Sequence, residues 1–407
     1  MSAVVPGFPR EAMRTTLILA ASQAIVGSAA PICFSLGALA GDYLLGPDKS
    51  LATAPITAFN VGVAAGAIPA AAIIRALGQR GGFMTGTVFT GAGGGIAALA
   101  LLHASFWLFV VGLLIAGVGS AFVQQFRFAA ADNVPPQFKA RAISWVLAGG
   151  IVTAVLGPQI AIFTREALAP VMFAGAFVAI IFIAIAGGAI LFFLRVRGNA
   201  VHGHGDAGDA APVRPLREIV AEPRFAVAML CGVASYAMMS FVMTGAPLAM
   251  VGCGFTPDEA TLGISWHVMA MFGPSFFTGR LIARYGKERI VALGLALLIV
   301  CALVALSGIE LWQFWTALIL LGLGWNFGFI GATAIVAESY RPQEKGKVQG
   351  FHDFVLFSTV AFSSLMSGYV YNSWGWDMLN WIVLPVATAC LAALGLLVLR
   401  LRRPAVS

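Results

Sequence analysis

Soft metal ligands are concentrated in one short stretch of this sequence. Seven of the 13 methionines lie between residues 229 and 271. Met239 and Met243 are four residues apart, and so are His267 and Met271, so each pair would occupy one face of a helix. Neutral thioether and imidazole ligands favour Cu(I) over hard cations. The pattern therefore predicts a Cu(I) site formed by these four residues.

The elements that would position these residues are long apolar helices. Of the 407 residues, 60% are hydrophobic and only 10% are charged, which is too few charges for a soluble surface of this size. We predict an all-α membrane protein with 12 transmembrane helices. The predicted spans are 14–40, 51–76, 83–103, 105–132, 142–165, 170–194, 225–249, 258–283, 289–309, 311–338, 348–371 and 377–400.

The two pairs of soft ligands fall on the seventh and eighth spans. At 1.5 Å per residue, Met239 and His267 would lie at a similar depth, about 5 Å outside the midplane. Packing is the alternative interpretation, because methionine fills irregular gaps in protein cores. His267 favours a functional site, since ionisable groups inside membranes are rare and usually functional.

The distribution of positive charge predicts the orientation. Of the 24 Lys and Arg residues, 22 fall on one side if both termini are cytoplasmic, and only Lys49 and Arg165 fall outside. The positive-inside rule therefore predicts a multi-pass membrane protein with both termini cytoplasmic. It also explains the basic net charge, so no nucleic-acid partner is expected.

The chain is predicted to consist of two six-helix halves. Residues 1–196 form the first half, 197–222 a polar cytoplasmic linker, and 223–407 the second half. An internal repeat supports this division. The sequence Asp132-Asn-Val-Pro-Pro136-Gln-Phe-Lys139 is repeated 206 residues later as Glu338-Ser-Tyr-Arg-Pro342-Gln-Glu-Lys345.

Paired halves and a loop motif resemble the major facilitator superfamily. Its signature Gly-x-Leu-x-Asp-Arg-x-Gly reads Gly279-Arg-Leu281-Ile-Ala283-Arg284-Tyr-Gly286 here, so the family's acidic residue is replaced by Ala283. The resemblance implies the major facilitator fold, with two pseudo-symmetric halves that work by alternating access around a site near the midplane.

A finer resemblance concerns the seventh and eighth spans. The spacing of Met239, Met243, His267 and Met271 is similar to that of the CcoA-like copper importers of bacterial inner membranes. The resemblance implies copper uptake that supplies cytochrome oxidase assembly, with these four residues as copper ligands. The partners it implies are the copper ion and a cytoplasmic copper chaperone.

The same resemblance assigns functional thiols to Cys231 and Cys253. If the seventh helix is continuous, the two cysteines are about 30 Å apart, too far for a disulfide. One hypothesis is a copper relay from Cys253 to Cys231, and the alternative for Cys231 is a buried small hydrophobe.

Four titratable residues near predicted span ends are further candidates. A His/Asp pair at a membrane boundary, such as His352 and Asp353, could carry protons or gate the pathway. Arg127 and Asp132 occupy the end of the fourth span and could act in the same way. The alternative for all four is a charge that reaches from the boundary to water.

Other functions remain open at this stage. The main alternative is a major facilitator transporter of a small organic solute, either riboflavin-like or a drug/proton antiporter. The antiporter signature is partly matched by Gly149-Gly150 and Gly157-Pro158, but the glycines that normally follow are Ala161 and Ile162. A membrane copper sensor is a third candidate.

An enzyme is not expected, because the sequence has no nucleophile–base pair, P-loop or dinucleotide fingerprint. No cofactor is expected either. We predict a monomer in contact with membrane lipid.

Overall fold

The computed structural model describes residues 10–135, 138–194 and 214–402. Within these ranges the secondary structure is helical. The helices are α1 Arg10–Val26, α2 Ala29–Leu44, α3 Ala54–Leu102, α4 Phe106–Val123, α5 Phe126–Asp132, α6 Lys139–Thr164, α7 Ala174–Phe192, α8 Leu216–Ala221, α9 Pro223–Gly252, α10 Pro257–Phe272, α11 Ser275–Tyr285, α12 Lys287–Leu306, α13 Leu311–Glu338 and α14 Lys345–Arg402.

All twelve predicted spans are present as helices. Nine helical stretches of the described residues are long and apolar enough to cross a membrane, by length and composition. Two of them, α3 and α14, each contain two predicted spans, separated where Gly78 (φ 72°) and Gly375 (φ 78°) leave the helical conformation. The glycines occupy these breaks because a positive φ is costly for other residues. Three predicted spans are each divided between two helices: 14–40 between α1 and α2, 105–132 between α4 and α5, and 258–283 between α10 and α11.

The described residues form two packing units. One contains residues 10–33 and 62–194, and the other contains 34–61 and 214–402. The predicted division at 196 and 223 stays a prediction, and residues 197–213 of the predicted linker lie outside the described residues.

In the first unit, α1 packs closely against α6. The Thr153 hydroxyl donates to the carbonyl oxygen of Gln23 at 2.9 Å. A Cβ atom at Gly149 would lie 2.4 Å from the Ala20 oxygen, and one at Gly157 would lie 2.6 Å from the Ser28 oxygen. The glycines of the antiporter-like motif therefore permit close helix packing, as small residues commonly do between membrane helices.

In the second unit, α9 is the most enclosed helix. Within its most apolar stretch, 72% of the residues are buried. Helix α14 is tied to it by hydrogen bonds from the Ser367 hydroxyl to the Phe241 oxygen (2.6 Å) and from the Tyr371 hydroxyl to the Leu248 oxygen (3.0 Å). Residues that α9 carries are therefore interior residues of this unit.

Candidate functional site

The four predicted metal ligands all lie inside the second unit. Met239, Met243, His267 and Met271 have exposed fractions of 2%, 5%, 0% and 8%. They do not face lipid. Burial on α9 is nevertheless uninformative about function, because almost every side of that helix is covered.

His267 makes a specific contact with α13. Its Nδ1 atom lies 2.8 Å from the carbonyl oxygen of Leu318. A carbonyl can only accept, so Nδ1 carries the proton and the Nε2 atom of the neutral ring is an acceptor. Nε2 is buried and has no hydrogen-bond partner among the described residues. His267 thus ties α10 to α13 and keeps one polar atom unsatisfied.

The two predicted thiols lie far apart. Cys231 is fully buried, and its sulfur lies 3.7 Å from the carbonyl oxygen of Cys390 in α14, where it acts as a small interhelical donor. Cys253 is exposed just beyond the end of α9. Because α9 is one continuous helix, 22 residues separate them by about 33 Å. Both cysteines are free. Their part in a relay stays a prediction.

The four titratable candidates are divided between the units. His352 and Asp353 are paired, with Nδ1 and Oδ1 3.0 Å apart. Arg127 and Asp132 lie in the first unit, where the Arg127 guanidinium lies 4.8 Å from the ring centroid of Phe128. No group of three or more His, Cys, Asp or Glu side chains suited to a metal ion occurs in the part of the chain that the structure describes.

A cluster of aromatic rings, which the sequence analysis did not identify, lies near the end of α10. We define the aromatic cluster as Tyr236 of α9, Phe272 of α10, and Trp325 and Phe329 of α13. The Trp325 and Phe329 rings are nearly parallel (17°) with centroids 5.4 Å apart. Tyr236 stands edge-on to both, at 5.4 Å and 5.1 Å. Phe272 lies 6.3 Å from Trp325.

The cluster contains a second unsatisfied polar atom. Trp325 is 7% exposed, and its Nε1–H has no acceptor among the described residues. A signal was available in the sequence, because Trp325 and Phe329 are four residues apart on one predicted span. The two remaining rings come from other helices, and no spacing rule brings them to this point.

Next to the cluster, Asn326 bridges the break between α10 and α11. Its side-chain amide donates to the Met271 oxygen at 2.6 Å and to the Ser275 hydroxyl at 2.9 Å. The Thr278 hydroxyl lies 2.6 Å from its Oδ1. Pro274 has no N–H to continue the helix, so backbone groups are freed here. Asn326 supplies hydrogen bonds that the broken helix lacks.

A network of charges joins helix ends near the linker. Arg224 of α9 contacts Glu288 at 3.2 Å and Glu338 at 3.3 Å, and Lys287 is also paired with Glu338. These residues connect the ends of α9, α12 and α13. Of these residues, Lys287 and Glu288 lie close in sequence to Ala283, the position at which the motif quoted above has an acidic residue.

Arg214 attaches the end of the linker to the α13–α14 corner. Its guanidinium contacts both carboxylate oxygens of Glu344 at 3.0 Å and 2.8 Å, and it also donates to the Ser339 oxygen. The Glu344 side chain has no exposed surface. Hydrogen bonds hold the pKa of Glu344 well below its ordinary value. The side chain of Arg214 contributes most, and the backbone N–H of Arg341 contributes next.

Glu344→Gln is expected to lower the thermal stability of the purified protein at neutral pH. A lowered pKa in the folded state contributes stability that is present above the unfolded-state pKa and is lost as the pH falls through the folded-state pKa. The deficit should therefore be equal at pH 7 and pH 5.5. The measurement is the melting temperature in detergent. Glu166→Gln is the control, because Glu166 is 59% exposed in its pair with Arg165. Equal melting temperatures for Glu344→Gln and the wild type would contradict this account.

Sequence comparisons point to one superfamily. The model of the Major Facilitator Superfamily matches residues 13–275 and, a second time, residues 228–407. A riboflavin transporter of Brucella anthropi is 48% identical over 396 residues, which cover 96% of both chains. An uncharacterised major facilitator-type transporter of Bacillus subtilis is 30% identical over 375 residues, covering 88% of this chain and 84% of that protein.

Solved structures have a similar fold. The xylose transporter of E. coli, in a partially occluded inward-open conformation, gives a TM-score of 0.69 at 11% identity, covering 94% of this chain and 97% of that chain. The nucleoside transporter NupG gives 0.69 at 13% identity, covering 95% and 99%. At these identities the similarity concerns the fold alone.

The prediction of copper import is wrong. The relative that shares 48% of its residues along nearly the whole chain is a riboflavin transporter, not a CcoA-like copper importer. The predicted copper ion and copper chaperone partners are wrong for the same reason. Physically, Met239 and Met243 are buried on the enclosed helix α9, Met271 is buried on α10, and His267 makes a helix–helix contact, so packing accounts for these residues. The ligand site predicted for Met239, Met243, His267 and Met271 stays a prediction, and copper is no longer proposed as its ligand.

Proposed function

Because the chain belongs to the major facilitator superfamily, we propose that it is a carrier of riboflavin or a closely related flavin. The family and the helical fold, in which nine stretches of the described residues are long and apolar enough to cross a membrane, make it a multi-pass membrane transporter. Besides the substrate, the proposal includes that the protein lies in the bacterial inner membrane and that both termini are cytoplasmic. The chain acts as a carrier and not as an enzyme.

One observation carries the substrate assignment. Identity of 48% extends over 96% of both this chain and a riboflavin transporter, so it is not confined to one half or one motif. This supports the organic-solute alternative of the sequence analysis, in its riboflavin-like form. The drug/proton form has less support, because Gly149 and Gly157 are explained by the packing of α6 against α1.

The chemistry of the second unit is compatible with an organic solute. Sites for organic ligands are lined mainly by apolar and aromatic side chains, with a few polar groups that orient the ligand. The aromatic cluster and the unsatisfied atoms of Trp325 and His267 have this composition. For the orientation, the support is the positive-inside distribution, with 22 of 24 basic residues on the cytoplasmic side.

Radiolabelled riboflavin uptake tests the proposal directly. The chain is expressed in a riboflavin-auxotrophic bacterium that lacks its own riboflavin transporter. We expect saturable accumulation of label and growth at low external riboflavin, neither of which should occur with an empty vector. Copper accumulation, measured in the same cells, should equal that of the vector control.

The outcome that contradicts the proposal is equally clear. If the protein is abundant in the membrane and riboflavin accumulation equals that of the vector control, the carrier has another substrate. Excess unlabelled xylose serves as a specificity control and should not reduce riboflavin uptake.

A further inference from the structure

We propose that the aromatic cluster is the subsite that receives the flat ring system of the flavin. This inference rests on the proposed function and adds the residues that recognise the substrate. The ligand class is a planar, fused heteroaromatic ring with a polyhydroxylated side chain. The three helices α9, α10 and α13 supply the ring-binding residues, all within the second unit.

The ring geometry suits a planar guest. Trp325 and Phe329 are nearly parallel, so a further flat ring can extend their stack, and Tyr236 presents its edge beside them. Offset stacking and edge-to-face contacts are the preferred arrangements of aromatic groups. A fused heteroaromatic ring would gain from both contacts.

Exposure separates this cluster from ordinary core packing. Tyr236, Phe272 and Phe329 are only half-buried, whereas a core ring such as Phe314 on the same helix is 1% exposed. These three residues therefore keep some surface that the protein does not cover.

Two buried polar atoms indicate what else the ligand must offer. The Trp325 Nε1–H is an unsatisfied donor, and His267 Nε2 is an unsatisfied acceptor. Leaving such groups unpaired in an apolar interior is costly. The carbonyl oxygens of a flavin ring can accept from Trp325, and a hydroxyl of its ribityl chain can donate to His267.

The spacing of these atoms along α13 fits an elongated ligand. His267 is bound to the carbonyl oxygen of Leu318, which is seven residues, or about 10 Å along the axis of α13, before Trp325. We therefore assign the ring to the Trp325 end and the ribityl chain to the His267 end.

Two substitutions test the ring subsite through the kinetics of riboflavin uptake. Trp325→Phe removes the N–H and part of the stacking surface, and Phe329→Leu removes one ring. Each is expected to raise the KM for riboflavin roughly tenfold, with Vmax and membrane abundance unchanged. Trp312→Phe is the matched control, because Trp312 lies on the same helix and is 61% exposed. Its KM should equal that of the wild type.

A third substitution tests the ribityl end. His267→Asn keeps an N–H near the position of Nδ1 for the Leu318 oxygen but removes Nε2. It should raise the KM for riboflavin while leaving the inhibition constant of lumichrome, a ring system without the ribityl chain, unchanged. In Trp325→Phe, by contrast, lumichrome should inhibit less strongly than in the wild type.

These measurements separate failure of the subsite from failure of the proposed function. Suppose that the wild type transports riboflavin and that both Trp325→Phe and Phe329→Leu have the same KM for riboflavin as the wild type. The aromatic cluster then contacts lipid or core, and the inference is overturned. A KM for Trp312→Phe raised as much as that of Trp325→Phe would also overturn it. If Phe329→Leu does not reach the membrane, Trp325→Phe alone decides. Absence of riboflavin transport by the wild type would refute the proposed function itself.

Discussion

Gly294→Val is expected to prevent most of the protein molecules from reaching a folded state in the membrane. A Cβ atom at Gly294 of α12 would lie 2.2 Å from the Gly328 nitrogen and 2.6 Å from its Cα, both backbone atoms of α13. No flexible side chain can move aside, so the two helices would have to separate. Overpacking of this kind costs about 1–3 kcal/mol for added methylene groups, and the contact here is with backbone.

The measurement is the fraction of protein that elutes as a monodisperse peak in detergent, normalised to expression. Gly395→Val is the matched control, because no atom lies within 4 Å of a Cβ atom at Gly395 in α14. We expect a large loss for Gly294→Val and none for Gly395→Val. Equal peaks for the two variants would show that α12 and α13 are not so closely packed.

Asn326→Leu is expected to destabilise the protein and to reduce transport. The substitution removes the donor to the Met271 oxygen and the partner of Thr278, and leaves a buried carbonyl unpaired at the break between α10 and α11. The cost of one such group is about 1–3 kcal/mol. Since Phe272 and Trp325 of the aromatic cluster flank this break, an altered break should also displace ring-binding residues.

The measurements are the melting temperature in detergent and riboflavin uptake at matched membrane abundance. Asn380→Leu is the control, because Asn380 is equally buried but donates only within its own helix, to Trp376, and its Oδ1 has no partner among the described residues. We expect a melting temperature near that of the wild type for Asn380→Leu. If the two leucine variants behaved alike, Asn326 would have no special role at the break.

Gly294 and Asn326 support helix packing in different ways. Glycine permits two backbones to meet, and asparagine replaces hydrogen bonds where a backbone is interrupted. Both devices are common in membrane proteins, where packing and internal hydrogen bonds must satisfy groups that water cannot reach.

The spans were predictable because a membrane imposes them. A backbone that crosses hydrocarbon must satisfy its polar groups internally, so runs of about 20 apolar residues become helices whatever their neighbours. The breaks within α3 and α14 coincide with polar or glycine-containing joints between predicted spans. The finer break between α10 and α11 was not predicted, although Gly273-Pro274 marks it.

The copper prediction failed at a definable step. The spacing of Met239 and Met243 correctly places both on one face of a helix, but it cannot tell which neighbour that face meets. Because α9 is enclosed on almost all sides, any of its methionines would be buried. Packing, the alternative interpretation of the sequence analysis, accounts for buried methionines on such a helix without a metal.

The amino-acid sequence by itself determined the class of protein, the number and position of its spans, and its membership of a transporter superfamily, because these depend on composition and on periodic patterns within single segments. The tertiary structure alone decided which side chains meet. Only packing brings Tyr236 of α9 and Phe272 of α10 to Trp325 of α13, and directs Nδ1 of His267 to Leu318. The physical reason is that contacts between helices depend on their rotation about their axes, which a pattern within one helix does not specify.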